Sequence, residues 1–221
     1  MKEYLAHGMG VNSTALMLML WDKGIKFENV FVNHGGDYPF AYEYKQYLEK
    51  QGFKITELKP NVSGCNTIED YCKKYGIIPW FGMRFCTQKF KVQPMHNYFD
   101  KPCRCYIGID YGEQKRTKRI RFKNQIENVY SLIEEELDRN ACIDLIKQYG
   151  LKVPNKTGCW LCPFMRNNDV RMLYLYYPDL YKRRKALEDG CIKKDFYFKQ
   201  GKPMDKVAMV EIDNIMKWCS I

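Results

Sequence analysis

A glycine-rich segment near the amino terminus has residue types suited to binding a phosphate group. Its seven residues are Gly8, Met9, Gly10, Val11, Asn12, Ser13 and Thr14. Glycines let the backbone approach an anion closely, and the N–H groups that begin a helix attract negative charge. The segment lacks the Gly-Lys-Ser/Thr ending of a P-loop NTPase and the three-glycine spacing of a Rossmann dinucleotide site. It predicts a nucleotide-phosphate site, with a tight structural turn as the alternative.

Two cysteines, Cys159 and Cys162, form a Cys-x-x-Cys pair in a loop rich in proline, glycine and cysteine. Two thiolates at this spacing bind iron or zinc, or form a redox pair. A zinc ribbon needs a second such pair, whereas Cys103 and Cys105 are separated by a single residue. A metal site, a redox pair and buried core cysteines therefore all stay open for this loop.

A basic segment surrounds another cysteine in the middle of the chain. Arg84, Lys89 and Lys91 flank Cys86 and offer fork-shaped and point-charge donors to an anion. Positive charge beside Cys86 lowers the pKa of its thiol and raises the thiolate fraction. The alternative is a basic amphipathic turn with a half-buried cysteine.

Alternating strand and helix patterns position these residues. A strand ends near Leu5, an apolar helix covers residues 13 to 21, a second strand covers residues 29 to 32, and a helix begins at Pro39. Strands alternating with helices predict a parallel sheet with right-handed crossovers, hence a doubly wound α/β fold. Ligands of such sheets bind at the carboxyl ends of the strands, where the polar segments fall.

Later elements complete the prediction. A third strand is expected at residues 53 to 58, a helix at 67 to 75, mixed helix and loop at 85 to 99, and a buried strand at 105 to 109. One long helix is expected from Ser131 to Tyr149, and a last helix at 206 to 218. Residues 1–130 would form a nucleotide-binding α/β core and residues 131–221 a helical cap carrying the Cys-x-x-Cys loop, with one single domain as the alternative.

Composition restricts the class of protein. The 221 residues are 46% hydrophobic, and 36 Lys and Arg against 26 Asp and Glu give a formal net charge of +10. A polyanionic partner or a solvated basic surface explains this excess. The sequence has neither a signal peptide nor a stretch of roughly 18 apolar residues, so we expect a cytoplasmic protein without a membrane partner. A reducing compartment disfavours structural disulfides among the ten cysteines.

The motifs together resemble the phosphoadenosine phosphosulfate reductase-like family of PP-loop ATP pyrophosphatases, the adenine nucleotide alpha hydrolase superfamily. Residues 8 to 14 are similar to its S-G-G-x-D-S and G-G-V-x-S-T-A loops, and residues 33 to 39 to its D-T-G-x-E-x-P-E-T segment. Residues 84 to 94 resemble R-x-C-T-x-x-x-K-x-x-P, and residues 108 to 116 resemble G-x-R-x-x-E-S-x-x-R. Asn12 and Asp110 depart from the pattern, because they stand where many members have Asp and Arg. The resemblance implies a Rossmann-like sheet of this superfamily's type.

The resemblance also implies roles for matching residues. Catalytic roles fall on Cys86, Arg84 and Lys89. Nucleotide-binding roles fall on Gly8, Met9, Gly10, Val11, Asn12, Ser13, Thr14, Asn33, Gly35, Lys91, Gly108, Glu113 and Arg116. A 4Fe-4S cluster would be held by Cys86, Cys159 and Cys162, with the fourth position open to sulfide or filled by Cys103, Cys105, Cys142 or Cys191. Mg²⁺ dependence stays open because Asn12 supplies no charge to a magnesium ion.

The function implied is a sulfur-transfer ATP pyrophosphatase. It would bind ATP and adenylate an acceptor, either tRNA, DNA or a small molecule, which is then thiolated with sulfur from a donor such as a cysteine desulfurase. A reductase of a sulfonucleotide is one alternative, although the sequence ends without the family's E-C-G-x-H motif. A non-catalytic nucleic-acid-binding module is the other alternative, and it predicts salt-sensitive binding without nucleotide turnover.

Overall fold

The computed structural model describes residues 1–82, 85–118, 122–193, 195–199 and 201–208. Arg84 lies outside the described residues, and so does most of the helix predicted at 206 to 218.

Five parallel strands form one sheet. They are β1 (Lys2–Ala6), β2 (Glu28–Val32), β3 (Thr56–Leu58), β4 (Cys103–Ile107) and β5 (Ile126–Val129), in the order β3-β2-β1-β4-β5. The predicted doubly wound α/β fold is confirmed. The strand order reverses between β1 and β4, where Ala6 pairs with Ile107. The loops that leave these two strands diverge to opposite faces, which opens a crevice at their carboxyl ends.

Helices cover both faces of the sheet and build a cap beyond it. They are α1 (Val11–Asp22), α2 (Pro39–Lys50), α3 (Ile68–Tyr75), α4 (Phe85–Thr87), α5 (Gln93–Tyr98), α6 (Ser131–Glu134), α7 (Arg139–Gln148), α8 (Asn167–Tyr176), α9 (Pro178–Asp189) and α10 (Met204–Ala208). A π-helical turn, Gln88–Val92, joins α4 to α5, and a 3-10 segment, Tyr111–Lys118, follows β4. Within the described ranges, every helix is too short or too polar to cross a lipid bilayer.

Helix α1 is the central element of the core. Nine of its twelve residues are buried, because the sheet lies on one side of it and α7 packs on the other. A helix that is apolar on all sides is stable only in such a position. On the opposite face of the sheet, Val92, Met95 and Phe99 pack with Val30 and Cys105. The start of α1, and with it the glycine-rich segment, is thereby fixed against the strand ends.

A second core lies in the cap. Its members come from α3, α8, α9, α10 and the Cys-x-x-Cys loop, and Trp160, Phe90 and Phe198 are among its fully buried side chains. The domain division expected at residue 130 stays a prediction. Helix α7 belongs to the core of the sheet, whereas residues 65 to 90 contribute to the cap.

The single helix predicted from Ser131 to Tyr149 is wrong, because the chain forms α6 and α7 separately. Glu136 adopts a positive φ of 53° between them. The side chain of Asp138 then accepts a hydrogen bond from the N–H of Ala141 at 2.8 Å and begins α7. A capping aspartate competes with continuation of the preceding helix, so the apolar periodicity spans a break. The predicted strand at 105 to 109 begins at Cys103, and residues 85 to 98 form unbroken helical turns.

Candidate functional site

The glycine-rich segment joins β1 to α1 at the point where the strand order reverses. The first helical hydrogen bond runs from the N–H of Thr14 to the carbonyl of Gly10 at 3.0 Å. The N–H groups of Val11, Asn12 and Ser13 therefore begin the helix without an intrahelical acceptor. Met9 is buried with a positive φ of 55°, which turns the chain back towards the helix. This geometry provides backbone donors for an anion, as the sequence predicts.

Gly108 allows the end of β4 to approach this helix start. A β-carbon added to Gly108 would lie 2.8 Å from the backbone nitrogen of Ser13 and 3.0 Å from the carbonyl carbon of Asn12. Real β-carbons do not come this close to backbone atoms, so glycine is needed for the two segments to touch. The structure thus brings Gly108 to the predicted site.

A cavity of about 690 Å³, here called the cationic cavity, opens in front of these segments. Its basic side chains are Lys91, Arg116, Arg139, Lys156 and Arg166, and its acidic side chains are Asp37 and Glu113. The excess of positive charge suits a polyanionic ligand such as a chain of phosphates. Arg116 forms an ion pair with Glu113, and Lys156 pairs with Asp169 at 3.1 Å.

Three of the basic residues, Arg139, Lys156 and Arg166, were not predicted from the sequence. Arg139 is the first residue of α7, while Lys156 and Arg166 flank the Cys-x-x-Cys loop. Their chain positions are more than 120 residues from the glycine-rich segment. The nearness of Lys156 and Arg166 to Cys159 and Cys162 could have pointed to these two, whereas Arg139 has no such neighbour in the sequence.

Lys91 lines the cationic cavity and also lies near the cysteines of the cap core. Desolvation lowers the pKa of Lys91, but attraction to the Asp37 carboxylate is the largest opposing effect, and the pKa is raised. The pKa of Asp37 is raised by burial, with Lys91 opposing that shift. Lys91 therefore stays protonated and places one positive charge beside both the cationic cavity and the thiols.

The Cys-x-x-Cys loop docks on the turn that follows β2. The N–H of Trp160 donates to the carbonyl of Gly36 at 2.9 Å, and the N–H of Cys162 donates to the carbonyl of Cys159 at 2.9 Å. A β-carbon on Gly36 would lie 2.7 Å from Sγ of Cys159, so glycine is required at this contact. Burial raises the pKa of Cys159 to about 12, although Lys91 opposes this shift. The free thiol of Cys159 is thus protonated at neutral pH.

The described cysteines divide among three hydrophobic clusters. Cys86, Cys159, Cys162 and Cys191 pack against the cap core, to which buried Cys65 and Cys72 also belong. Cys103 and Cys105 lie in the core under β4, and Cys142 lies in the core around α1. Of the four cysteines considered as a further cluster ligand, Cys191 alone shares the cap core with the predicted three. Cys65 and Cys72 were not considered from the sequence.

A metal or cluster site is not preformed among these side chains. In the described ranges, no group of three or more His, Cys, Asp and Glu side chains is placed to hold a metal ion. The three predicted thiols share one hydrophobic core without forming such a ligand set. A 4Fe-4S cluster at Cys86, Cys159 and Cys162 stays a prediction, and no chemical step is derived through it.

A smaller cavity of about 180 Å³, the inner cavity, adjoins the cationic cavity. The two share Ala6, Gly8, Asp37, Lys91 and Ile107. Two buried histidines, His7 and His34, line the inner cavity, and the remaining lining is mostly apolar. A larger cavity of about 830 Å³ lies at the amino ends of β1 and β2, next to Trp21, away from the predicted site residues.

Several predicted residues lie outside these two cavities. Lys89 donates to the hydroxyl of Tyr71 at 2.7 Å and lines a separate groove. Asn33 donates to Glu57 at 3.0 Å, and Gly35 has a positive φ of 70° that shapes the turn after β2. Cys86 packs against the cap core rather than lining either cavity.

Asn12 and Asp110, the two departures from the family pattern, are in contact. Asn12 Nδ2 donates a hydrogen bond to Asp110 Oδ2 at 2.8 Å, and Asp110 is buried. A carboxylate thus stands beside the glycine-rich segment although position 12 is an amide. No local pattern indicated that these two positions meet.

No protein-family model matches the chain, and no match is found among curated proteins. The fold and the cavities define a doubly wound α/β protein with a cationic cavity at the point where its strand order reverses.

Proposed function

We propose that the protein is a nucleotide-binding enzyme of the PP-loop ATP pyrophosphatase type that acts in sulfur transfer. One observation carries the proposal. A single cationic cavity lies at the point where the strand order reverses. Its wall is formed by the glycine-rich loop, the end of β4 and the residues that immediately precede the Cys-x-x-Cys pair. A chain of phosphates fits that cavity in charge, and the inner cavity next to it offers space for a base.

The proposed reaction uses the cavity to cleave ATP between its α- and β-phosphates. An acceptor oxygen forms a bond to the α-phosphorus, and the bond to pyrophosphate breaks. The N–H groups that begin α1 and the cations Lys91, Arg139 and Arg166 stabilise the negative charge that develops. A sulfur nucleophile then displaces AMP from the adenylated acceptor. Arg84 and Lys89 keep their predicted catalytic roles only as predictions.

The charge and the residue types of the chain guide the choice of acceptor, sulfur donor and metal. The net charge of +10 favours a nucleic acid such as tRNA or DNA over a small uncharged acceptor. A persulfide carrier such as a cysteine desulfurase would supply the sulfur. Its terminal sulfur bonds to the acceptor carbon as AMP leaves, a second thiol then breaks the S–S bond, and the resulting disulfide is reduced by an external thiol. Mg²⁺ dependence stays open, because the buried Asp110 carboxylate contacts Asn12 but does not line the cationic cavity.

Pyrophosphate release from ATP tests the proposal. The wild-type protein should release pyrophosphate when tRNA, DNA or a small acceptor is supplied, and Arg139→Ala should lower this activity at least tenfold. Arg104→Ala, which removes an exposed arginine from β4, is the matched control and should retain activity. Sulfite release from a sulfonucleotide without ATP cleavage would favour the reductase instead. Salt-sensitive nucleic-acid binding without turnover would favour the binding module.

Metal analysis tests the cluster prediction separately. The protein is purified without oxygen, and iron, sulfide and zinc are measured in the wild type, in Cys159→Ala and in the control Cys103→Ala. Iron and sulfide lost only in Cys159→Ala would support a cluster at the Cys-x-x-Cys loop. Zinc alone would make the loop structural, and absence of both metals would contradict the cluster.

A further inference from the structure

His7 immediately follows β1 and is almost fully enclosed, with 2% of its surface exposed. Its Nδ1 atom accepts a hydrogen bond from the N–H of Met9 at 3.0 Å. Burial lowers the pKa of His7 to about 3, so the ring is neutral at physiological pH. Because Nδ1 is the acceptor, the single ring proton is on Nε2.

The Nε2–H group of His7 is a buried donor without a hydrogen-bond partner among the described residues. Buried polar groups in native proteins are nearly always hydrogen-bonded, and an unsatisfied one is costly. His7 lines the inner cavity, so a molecule bound there can supply the missing acceptor.

His34 Nε2 is likewise buried without a hydrogen-bond partner among the described residues, but its surroundings differ from those of His7. The two rings are held in the same way, because His34 Nδ1 accepts from the N–H of Gly36 at 3.1 Å. However, the Nε2 atom of His34 lies 3.3 Å from a carboxylate oxygen of Asp37. The proton of His34 thus has an acidic neighbour within the protein, whereas that of His7 has none in the described part of the chain.

The inner cavity fits a flat heteroaromatic ring. Its volume of about 180 Å³ is below the roughly 300 Å³ at which pockets for drug-sized ligands begin. Phe31, Val32, Met95 and Phe122 provide apolar walls. Its continuity with the cationic cavity through Gly8 would let one ligand place a ring here and phosphates there.

We propose that His7 is a specificity-determining residue whose Nε2–H donates a hydrogen bond to an unprotonated ring nitrogen of a purine nucleotide. The inference rests on the proposed function for the binding of a nucleotide. It adds that the base is a purine and that the Nε2–H group of His7 recognises it. Purines carry such acceptors at N1, N3 or N7, according to the base. The backbone N–H of Met9 holds the ring so that the donor is fixed before the base arrives.

Nucleotide analogues test the hydrogen bond without altering the protein. Affinities of ATP and of 1-deaza-, 3-deaza- and 7-deaza-ATP are measured by calorimetry with the wild type. One of the three analogues should bind about tenfold more weakly than ATP, the loss expected for one neutral hydrogen bond of roughly 1 kcal/mol or slightly more. Equal binding of all three analogues and ATP would overturn the inference.

Variants then assign the effect to His7. His7→Leu should bind ATP about tenfold more weakly and should no longer distinguish the sensitive analogue from ATP. His7→Gln keeps a side-chain acceptor for Met9 and a donor for the base, so it should retain much of the discrimination. His96→Leu removes an imidazole from α5, outside the residues that line the inner cavity, and should behave as the wild type. Discrimination that persists in His7→Leu would contradict the assignment.

The two proposals fail in distinguishable ways. Base discrimination without pyrophosphate release supports the role of His7 and contradicts the proposed activity. Pyrophosphate release without base discrimination does the reverse. If the wild type binds no purine nucleotide, both proposals are overturned.

Discussion

At the scale of single residues, Asn12 and Asp110 are the two positions that depart from the sequence pattern the chain resembles, and their side chains contact each other. An amide replaces a carboxylate on α1, and a carboxylate replaces a cation after β4. The 2.8 Å hydrogen bond between them keeps one negative charge beside the glycine-rich loop. The pair therefore acts as a unit, and changing one member alone should be harmful.

Exchange of the two side chains tests this pair. Asn12→Asp removes the donor and places a second carboxylate beside buried Asp110, so we expect a loss of about 1–3 kcal/mol in the free energy of unfolding at neutral pH. Mutual repulsion raises the pKa of one carboxyl in the folded state, so the loss should diminish as the pH falls and the pair gains a proton. The double variant Asn12→Asp/Asp110→Asn should recover stability. Urea unfolding across pH measures Asn12→Asp, Asp110→Asn and the double variant. A loss in the double variant equal to the sum of the two single losses would contradict the coupling.

Gly108 offers a second test at this scale. Gly108→Ala forces a methyl group against the backbone of Ser13, so the helix start must shift away from β4. We expect a loss of about 1–3 kcal/mol in stability, as for other overpacked sites, together with weaker nucleotide binding. Gly112→Ala is the control, because its β-carbon would meet Asp110 at an ordinary 3.4 Å. Unchanged binding in Gly108→Ala would show that the close approach does not shape the site.

At the scale of elements, local patterns predicted the sheet and a helical cap, but not which residues of the later chain reach the cationic cavity. Alternating strands and helices, with punctuation at Gly24 and Gly52, are local signals, and they led to the correct fold class. Glycine-rich residues 8 to 14 likewise predicted the start of the site. Arg139 and Arg166 reach the cationic cavity through tertiary packing, which no local pattern encodes. The break before α7 was missed because the apolar periodicity continues across Asp138.

Helix α9 holds the Cys-x-x-Cys loop through one buried side chain. Arg184 is fully buried and donates to the carbonyls of Trp160 and Cys162, the latter at 3.1 Å. Its guanidinium also lies over the ring of Phe198, with 4.2 Å between the guanidinium carbon and the ring centroid. A planar cation with several donors can bind two carbonyls at once, which a lysine cannot reproduce. The geometry of the loop therefore depends on a residue 22 positions after Cys162.

Replacement of Arg184 tests this dependence. Arg184→Met leaves the two carbonyls without their donor, so we expect a loss of about 1–3 kcal/mol in unfolding free energy and faster alkylation of Cys162. Lys182→Met, at an exposed position of the same helix, is the control. Chemical unfolding and mass-spectrometric alkylation rates measure both effects. Wild-type stability and alkylation in Arg184→Met would show that removing the buried charge offsets the lost hydrogen bonds.

At the scale of the whole molecule, the cationic cavity lies between the two cores. Gly10 and Ser13 belong to the sheet side, whereas Lys156, Thr157 and Arg166 belong to the loop that leads into the cap. A β-carbon on Gly10 would lie 2.6 Å from the hydroxyl oxygen of Thr157, so the two sides meet directly at the glycine-rich loop. A ligand in this cavity contacts both sides and should stabilise their contact.

Hydrogen exchange with and without ATP tests this coupling. A ligand at a hundredfold excess over its Kd stabilises the folded state by about 2.7 kcal/mol, and regions that open separately should then exchange more slowly together. We expect slower exchange in peptides covering residues 8 to 20, 104 to 117 and 152 to 170, and little local change in residues 44 to 56 at the far edge. Arg139→Ala, which weakens ligand binding, should reduce the effect in all three peptides in parallel. Protection confined to residues 8 to 20 would contradict the coupling, because the ligand would then contact the sheet side alone.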